Sequence, residues 1–504
     1  MTTETTATIG NDELLTPRDL ASITPFMDGR PVQSSSDSVL EVRDPTSGKR
    51  LIEIPAGCLD DAMRIVGSSK ASFAAGSWRR SPPSVKKRIL HRWADLVEEK
   101  SPRLDALDAL EMGKPVSLPV FNAKAAANFL RFNAEALDKC PGETLTSDSS
   151  STVIQVRVPR GIIAAIVPWN FPTYNCLLKI APALAAGNSV VLKPSELASQ
   201  SALMLAKLAL DAGIPPGVLN VIPGSGEIVG KALAEHMDVD MVSFTGSSAI
   251  GKLIMQYAGR SNMKVVSAEC GGKSPHIVFD DGVDIEAIAE SVARSICLNQ
   301  GQVCSAGSRL LVQDSLEERL VQKVIKRMGD IRIGNPQLKQ TSYGPLVSEE
   351  QMRKVLTYIE AGSAVGADLV YGGSRLLRET GGYFIEPTVF VNVPEDSALA
   401  QEEIFGPVLS VLRFRTLEEA VRLAAGTTYG LAAYVWTSRL AVGFQLSNAL
   451  QTALTMVSAL PVMGEGPGPG FSGEPYGLSG IGIEGGIAGL EAYMRRQTTW
   501  FNHG

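Results

Sequence analysis

Over residues 84–97, SVKKRILHRWADLV, the apolar positions Ile89, Leu90, Trp93, Leu96 and Val97 recur at helical spacing. This predicts a surface helix with one buried stripe, and much of 60–140 has the same character. From residue 161 the rhythm changes. Short aliphatic runs appear as IIAAIV (162–167), SVVL (189–192), VLNVI (218–222), MVSF (241–244) and KVVSA (264–268). Helical stretches such as 201–213 and 227–236 lie between them. Apolar strands alternating with helices predict a parallel sheet covered on both faces, a nucleotide-binding architecture in outline. A second strand–helix alternation runs from about 275 to 445, through HIVF (276–279), RLLVQD (309–314), VLSVLRF (408–414) and the helices 316–328 and 417–426. It predicts a second α/β domain. TVIQVRVPR (152–160) and RRQTTWFN (495–502) read as edge strands, and the Gly/Pro-rich segment 462–477 as a loop.

A chain of 504 residues is too long for one core, so two or three domains are expected. The net charge of −6 argues against a nucleic-acid or anionic-membrane surface. The longest apolar stretch, GIIAAIVPWNFP at 161–172, is broken by Pro168 and Pro172 and too short to span a membrane. Residues 1–20 carry neither a basic n-region nor an apolar h-region, so a cytoplasmic location is expected. Six cysteines without CxxC pairs suggest free thiols, and the four scattered histidines suggest no metal site.

Chemistry concentrates in a few turns. VIPGSGEIVG (Gly224, Gly226, Gly230) and FTGSSAIG (Gly246, Gly251) run from a strand into a glycine turn and a helix. Free N–H groups at a helix start suit a pyrophosphate; either turn alone is better read as a simple chain reversal, and the two together put the nucleotide reading level with it. KPSE at 193–196 puts Glu196 just past a strand end, where a carboxylate accepts from ribose hydroxyls and repels a 2′-phosphate; a solvated turn charge is the plainer reading. In NQGQVCSAGSRL (299–310), Cys304 sits among glutamines, glycines and small polar residues, unlike an inert packed cysteine.

PWNFP (168–172), KPSE (193–196), FTGSSAIG (244–251), ECGGKSP (269–275), GQVCSAGSR (301–309) and EEIFGPV (402–408) occur in this order. Together they make the chain resemble the NAD(P)-dependent aldehyde dehydrogenase superfamily along essentially its whole length. The resemblance implies an α/β fold with a Rossmann-type cofactor domain (1–143 and 161–272), an α/β catalytic domain (273–485) and a small β oligomerisation arm (144–160 and 486–504). It implies Cys304 as nucleophile, Asn170 with the Cys304 N–H as oxyanion donors, and Glu269 as the base that activates water. For the cofactor it implies Lys193 and Glu196 on the adenosine ribose and Ser247 at the pyrophosphate. Glu403 would hold the nicotinamide ribose beside Phe405, with Trp169 and Gly246 shaping that end. NAD is the expected cofactor, with NADP possible, and Lys179 matches a lysine near the active site. A small aldehyde is the expected partner, with no nucleic acid or membrane, in a homodimer or homotetramer.

The chain departs from the family pattern at Cys270 (usually Leu), Ala453, Ser458 and Ile483, in a shortened PYGLSG at 475–480, and in a Gly/Pro-rich insert at 463–470. Two readings follow: an active enzyme with a reshaped pocket, or an impaired homologue that only binds NAD. The first is expected, because the chemical residues remain. Phe171, Tyr174, Leu178 and Val303 favour an apolar aliphatic or aromatic aldehyde; Glu269 argues against a CoA-acylating relative and Glu196 against a reductive one.

Overall fold

The computed structural model describes residues 14–458 and 468–504. The N-terminal stretch 1–13 and much of the expected loop and insert therefore lie outside the described residues. Helices Leu59–Ala75, Pro83–Glu99, Ser101–Met112 and Ala123–Ala136 fill the region of helical patterning. In the second, Leu90, Trp93 and Val97 are fully buried, with Ile89 and Leu96 at the margin of the same core.

The first sheet has eight strands. Its centre is parallel, in spatial order Leu219–Val221, Ser189–Lys193, Ile162–Ile166, Met241–Thr245 and Val265–Glu269. These are the five apolar runs of the sequence, and Ile162–Ile166 and Ser189–Lys193 are buried at every position, as a sheet covered on both faces requires. From Ile162–Ile166 the chain moves outward one way through 189–193 to 219–221, then returns to the other side at 241–245. Strand order thus reverses beside Ile166, and ligands bind past the carboxyl ends of strands at such a point. Those ends lead straight into PWN, KPSE, PGSG, TGSS and ECGG. Gly480–Ile481, from far along the chain, closes the edge against Val265–Glu269.

The two glycine turns differ. FTGSS opens a 13-residue helix, Ser248–Arg260, whose N-cap Ser247 accepts from the Ile250 N–H. The turn at 224–230 instead winds into one π-helical turn, Gly226–Gly230, followed by only Lys231–Glu235.

The second sheet has seven strands, with Arg309–Gln313, Pro275–Val278, Ala432–Trp436 and Leu454–Ser458 adjacent in that order and parallel. Arg309, buried, ties it together: Nε donates to the Lys273 carbonyl, and the two Nη groups to the Leu423 and Ala424 carbonyls. Ser151–Pro159 and Met494–Asn502 pair antiparallel along their whole length, forming with Glu143–Thr144 a separate three-stranded sheet. Among the described residues no helix is long and apolar enough to cross a membrane.

Candidate active site

A cavity of about 410 Å³ lies at the carboxyl ends of the first sheet, with Val303–Ser305, Gln351, Lys354, Glu403 and Phe405 from later in the chain completing its wall. Asn170, Cys304 and Glu269 share its wall, as do Trp169, Gly246, Ser247, Glu403 and Phe405.

Asn170 arrives on the turn between Ile162–Ile166 and the helix Pro172–Ala185, where Pro172 presets the first helical φ. Its amide is held from several sides. Nδ2 donates to the Gln302 carbonyl at 3.0 Å, Oδ1 accepts from Asn175 Nδ2 at 3.1 Å, and Asn299 Nδ2 donates to the Asn170 carbonyl at 2.9 Å. One N–H of Nδ2 is left for a ligand.

The approach to Cys304 is unusual backbone. Asn299 (φ 47°), Gln300 (φ 57°) and Gly301 (φ 72°) are successive left-handed residues after the helix Ile285–Cys297. Two of the three are not glycine, a conformation that persists only where surroundings over-determine it. At Gly301 a Cβ would run into the Gly406 carbonyl. Gln302 anchors the end of the run, accepting from the Val347 N–H at 3.0 Å.

Cys304 is half-buried and opens on the cavity, whereas Cys176, Cys270 and Cys297 are buried. Among the described residues, no cation belongs to the groups that act on the Cys304 thiol. Burial, with Glu403 and Glu269 nearby, pushes the Cys304 thiol up to about 12, against backbone N–H groups of Ser305 and Cys304 that favour the thiolate. Burial also lifts Cys270 and Cys297 to about 12, so position rather than acidity distinguishes Cys304. The departure at Cys270 has a packing reason: its sulfur lies against Gly251, where a Cβ would stand 2.8 Å from Sγ.

Glu269 ends its strand in half-buried surroundings. Burial, then the Glu484 carboxylate, raise its pKa well above the ordinary carboxylate value, while Lys179 opposes them. Lys179, 1% exposed, pairs with Glu484 at 2.7 Å. Glu484 is the acid that sequence reading passed over; it stands next to Ile483, whose difference from arginine drew attention instead. Because a raised pKa keeps Glu269 protonated to higher pH, a base role predicts an acid limb of kcat well above ordinary carboxylate titration. Glu484→Gln removes a like charge and frees Lys179, both of which lower that pKa. The limb should then move to lower pH, as a kcat–pH profile will record.

At the other end, Lys193 Nζ meets Glu196 at 3.0 Å. Burial works to raise the Glu196 carboxyl, but Lys193 and backbone N–H groups, including that of Gly226, outweigh it and hold it down. Glu403 accepts from the Gly272 N–H at 3.1 Å, and burial raises its carboxyl. A Cβ at Gly271 would collide with that carboxylate. Phe405 (φ 57°) packs edge-on against Trp169 at 5.4 Å, its carbonyl held by Gln351 Nε2.

A sequence model of the aldehyde dehydrogenase family matches residues 32–499. The chain belongs to the aldehyde dehydrogenase family. It is 42% identical over 458 residues to the mitochondrial aldehyde dehydrogenase of Equus caballus, covering 90% of each chain. Among solved structures, the aldehyde dehydrogenase KauB from Pseudomonas aeruginosa superposes with a TM-score of 0.92 at 43% identity, over 97% of this chain and 100% of that one. An indole-3-acetaldehyde dehydrogenase solved with NAD+ gives 0.93 and 43%, with the same coverage. The expected aldehyde dehydrogenase fold is the fold of this family member.

Proposed function

We propose that Cys304, Asn170 and Glu269 carry out the aldehyde chemistry of this chain, and that Trp169, Lys193, Glu196, Gly246, Ser247, Glu403 and Phe405 hold its cofactor. The reaction is the oxidation of an aldehyde with NAD. The supporting observation is that Cys304, Asn170, Glu269, Trp169, Gly246, Ser247, Glu403 and Phe405, drawn from strand ends and loops far apart in sequence, line one cavity, while Lys193 and Glu196 pair with each other at the end of the neighbouring strand Ser189–Lys193. An impaired NAD-binding homologue is not favoured, since none of the three chemical groups is misplaced.

Residues at the strand ends fit NAD. Thr245 Oγ1 is buried without a hydrogen-bond partner, and the start of the helix Ser248–Arg260 lies beside it. At Gly246 a Cβ would strike the Phe244 ring. There the N–H groups would receive the pyrophosphate, Lys193 and Glu196 the adenosine ribose, and Glu403 the nicotinamide ribose. Glu196 favours NAD over NADP, whose 2′-phosphate it would repel. When bound, NAD supplies the hydride acceptor.

In this reading the Cys304 thiolate adds to the aldehyde carbonyl. The free Asn170 N–H and the Cys304 backbone N–H stabilise the resulting oxyanion. Loss of hydride leaves a thioester on Cys304, and Glu269 takes a proton from water as that water attacks it, releasing the carboxylic acid. A carboxylate within the cavity favours water over CoA as acyl acceptor.

The inner wall is lined by Phe171, Tyr174, Leu178 and Val303, with Phe121 stacked on Phe171 at 4.5 Å, which supports an apolar aliphatic or aromatic aldehyde. NADH production across aliphatic and aromatic aldehydes tests it; silence on all of them with NAD bound would remove the catalytic reading.

Homodimer or homotetramer assembly through the arm is part of the same proposal. Met494–Asn502 is an edge strand, with Trp500 68% exposed, and such edges are usually covered. All six cysteines are free, which supports the cytoplasm.

A further inference from the structure

A second cavity, about 510 Å³, adjoins the first, sharing Phe121, Tyr174, Val303 and Ser305 with it. The shared residues make the two cavities neighbours along a wall that reaches Cys304. The lining of the second is mostly apolar and aromatic, with Phe129, Leu298, Met456 and Phe471 contributing. Phe129 meets Tyr174 edge-on at 4.9 Å, so this wall is packed rather than loose.

One group there stands apart. Arg294, on the helix Ile285–Cys297, is the only formally charged side chain among the described residues of that wall. It lies one helical turn before Leu298, so both project from the same side. Arg294 is half-buried, and among the described residues its guanidinium makes no hydrogen bond or ion pair. Other half-buried arginines have partners: Arg131 binds Asp95 and Glu98, Arg160 donates to the Ala492 carbonyl, Arg157 binds Glu491 although its Nε is left over, and Arg79 lies over the Phe73 ring. A guanidinium with five donors on an apolar wall lacks what it is built to bind, a planar anion.

We propose that Arg294 is a specificity residue that receives the far-end anion of the substrate, a carboxylate carried on an apolar or aromatic body whose aldehyde reaches Cys304. The inference rests on the aldehyde-oxidising reading of the site and narrows it: the apolar wall takes the body of the substrate and Arg294 its distal charge. A free ammonium at that end would be repelled.

The test pairs each aldehyde of a length series with its ω-carboxy counterpart and measures kcat and KM for wild type, Arg294→Leu and Arg294→Lys. At the length that reaches from Cys304 to Arg294, wild type should prefer the carboxylate. Arg294→Leu should cut the ratio of kcat/KM, carboxylate over uncharged, by roughly ten- to a hundredfold, chiefly through KM. Arg294→Lys should restore it in part, since it keeps the charge and loses the fork. The wild-type preference should shrink as salt rises. The uncharged aldehydes, run on the same preparations, report that each variant is folded. Turnover with a ratio the same in wild type and Arg294→Leu would overturn this inference alone. Absence of NADH from every aldehyde, with NAD still bound, would overturn the dehydrogenase reading and this inference with it.

Discussion

Cys304→Ala should bring NADH formation down by on the order of 10⁴-fold or more, as removal of a covalent nucleophile does elsewhere. No other thiol can take its place. Cys270 also borders the cavity but is buried with its sulfur against Gly251, Cys176 and Cys297 are buried, and Cys58, Cys140, Cys176 and Cys297 do not line the cavity. The substitution deletes one sulfur from a half-open position, so the left-handed run before it and the Asn170 network keep their partners. NAD affinity, followed by fluorescence titration, should therefore survive while turnover does not. Retained turnover would remove Cys304 as the nucleophile.

Glu269→Gln should separate the two halves of the reaction. Thioester formation does not need the base that activates water, so a first turnover should still release about one NADH per chain before the rate collapses. The steady rate should drop by about 10²- to 10⁴-fold, the usual worth of a positioned general base. Intact mass should show the acyl group on the protein. Gln keeps the shape of the carboxylate and removes a charge that sits in a poorly solvated site, so the fold should be unharmed. A variant with neither a burst nor an acyl adduct would mean that Glu269 acts before the thioester forms.

Much of this was open to sequence reading because of how parallel sheets are made. Their strands are unbroken apolar runs, and each motif follows its strand directly, so KPSE, TGSS and ECGG could be located at strand ends before any coordinates. Two kinds of information were absent. Convergence was one: Glu484 reaches Glu269 only because Gly480–Ile481 folds back onto the edge of the first sheet, a pairing of very short strands with no periodicity to reveal it. Phe121, a left-handed residue in a region patterned as helix, enters the cavity in the same unannounced way. Environment was the other. Polar neighbours in sequence set Cys304 apart from a packed cysteine but could not show that burial and two carboxylates, each brought from elsewhere, raise its thiol pKa. Arg294 combines both problems, since an arginine in an amphipathic helix reads as a solvated charge until the wall around it is known.

The left-handed run Asn299–Gly301 bears on modularity. Its shape belongs to neither sheet alone: Asn170, from the first, fastens Asn299 and Gln302, while Gly406 and Val347, beside the second, set the room for Gly301 and hold Gln302. The two halves are therefore not interchangeable cassettes. A chimera that joined the first-sheet half of this chain to the second-sheet half of another family member would carry a cysteine in the right place on paper, with its loop free to relax. Grafts that respect the fold would have to move Asn170, Asn175 and the 299–302 turn together, as one inherited unit.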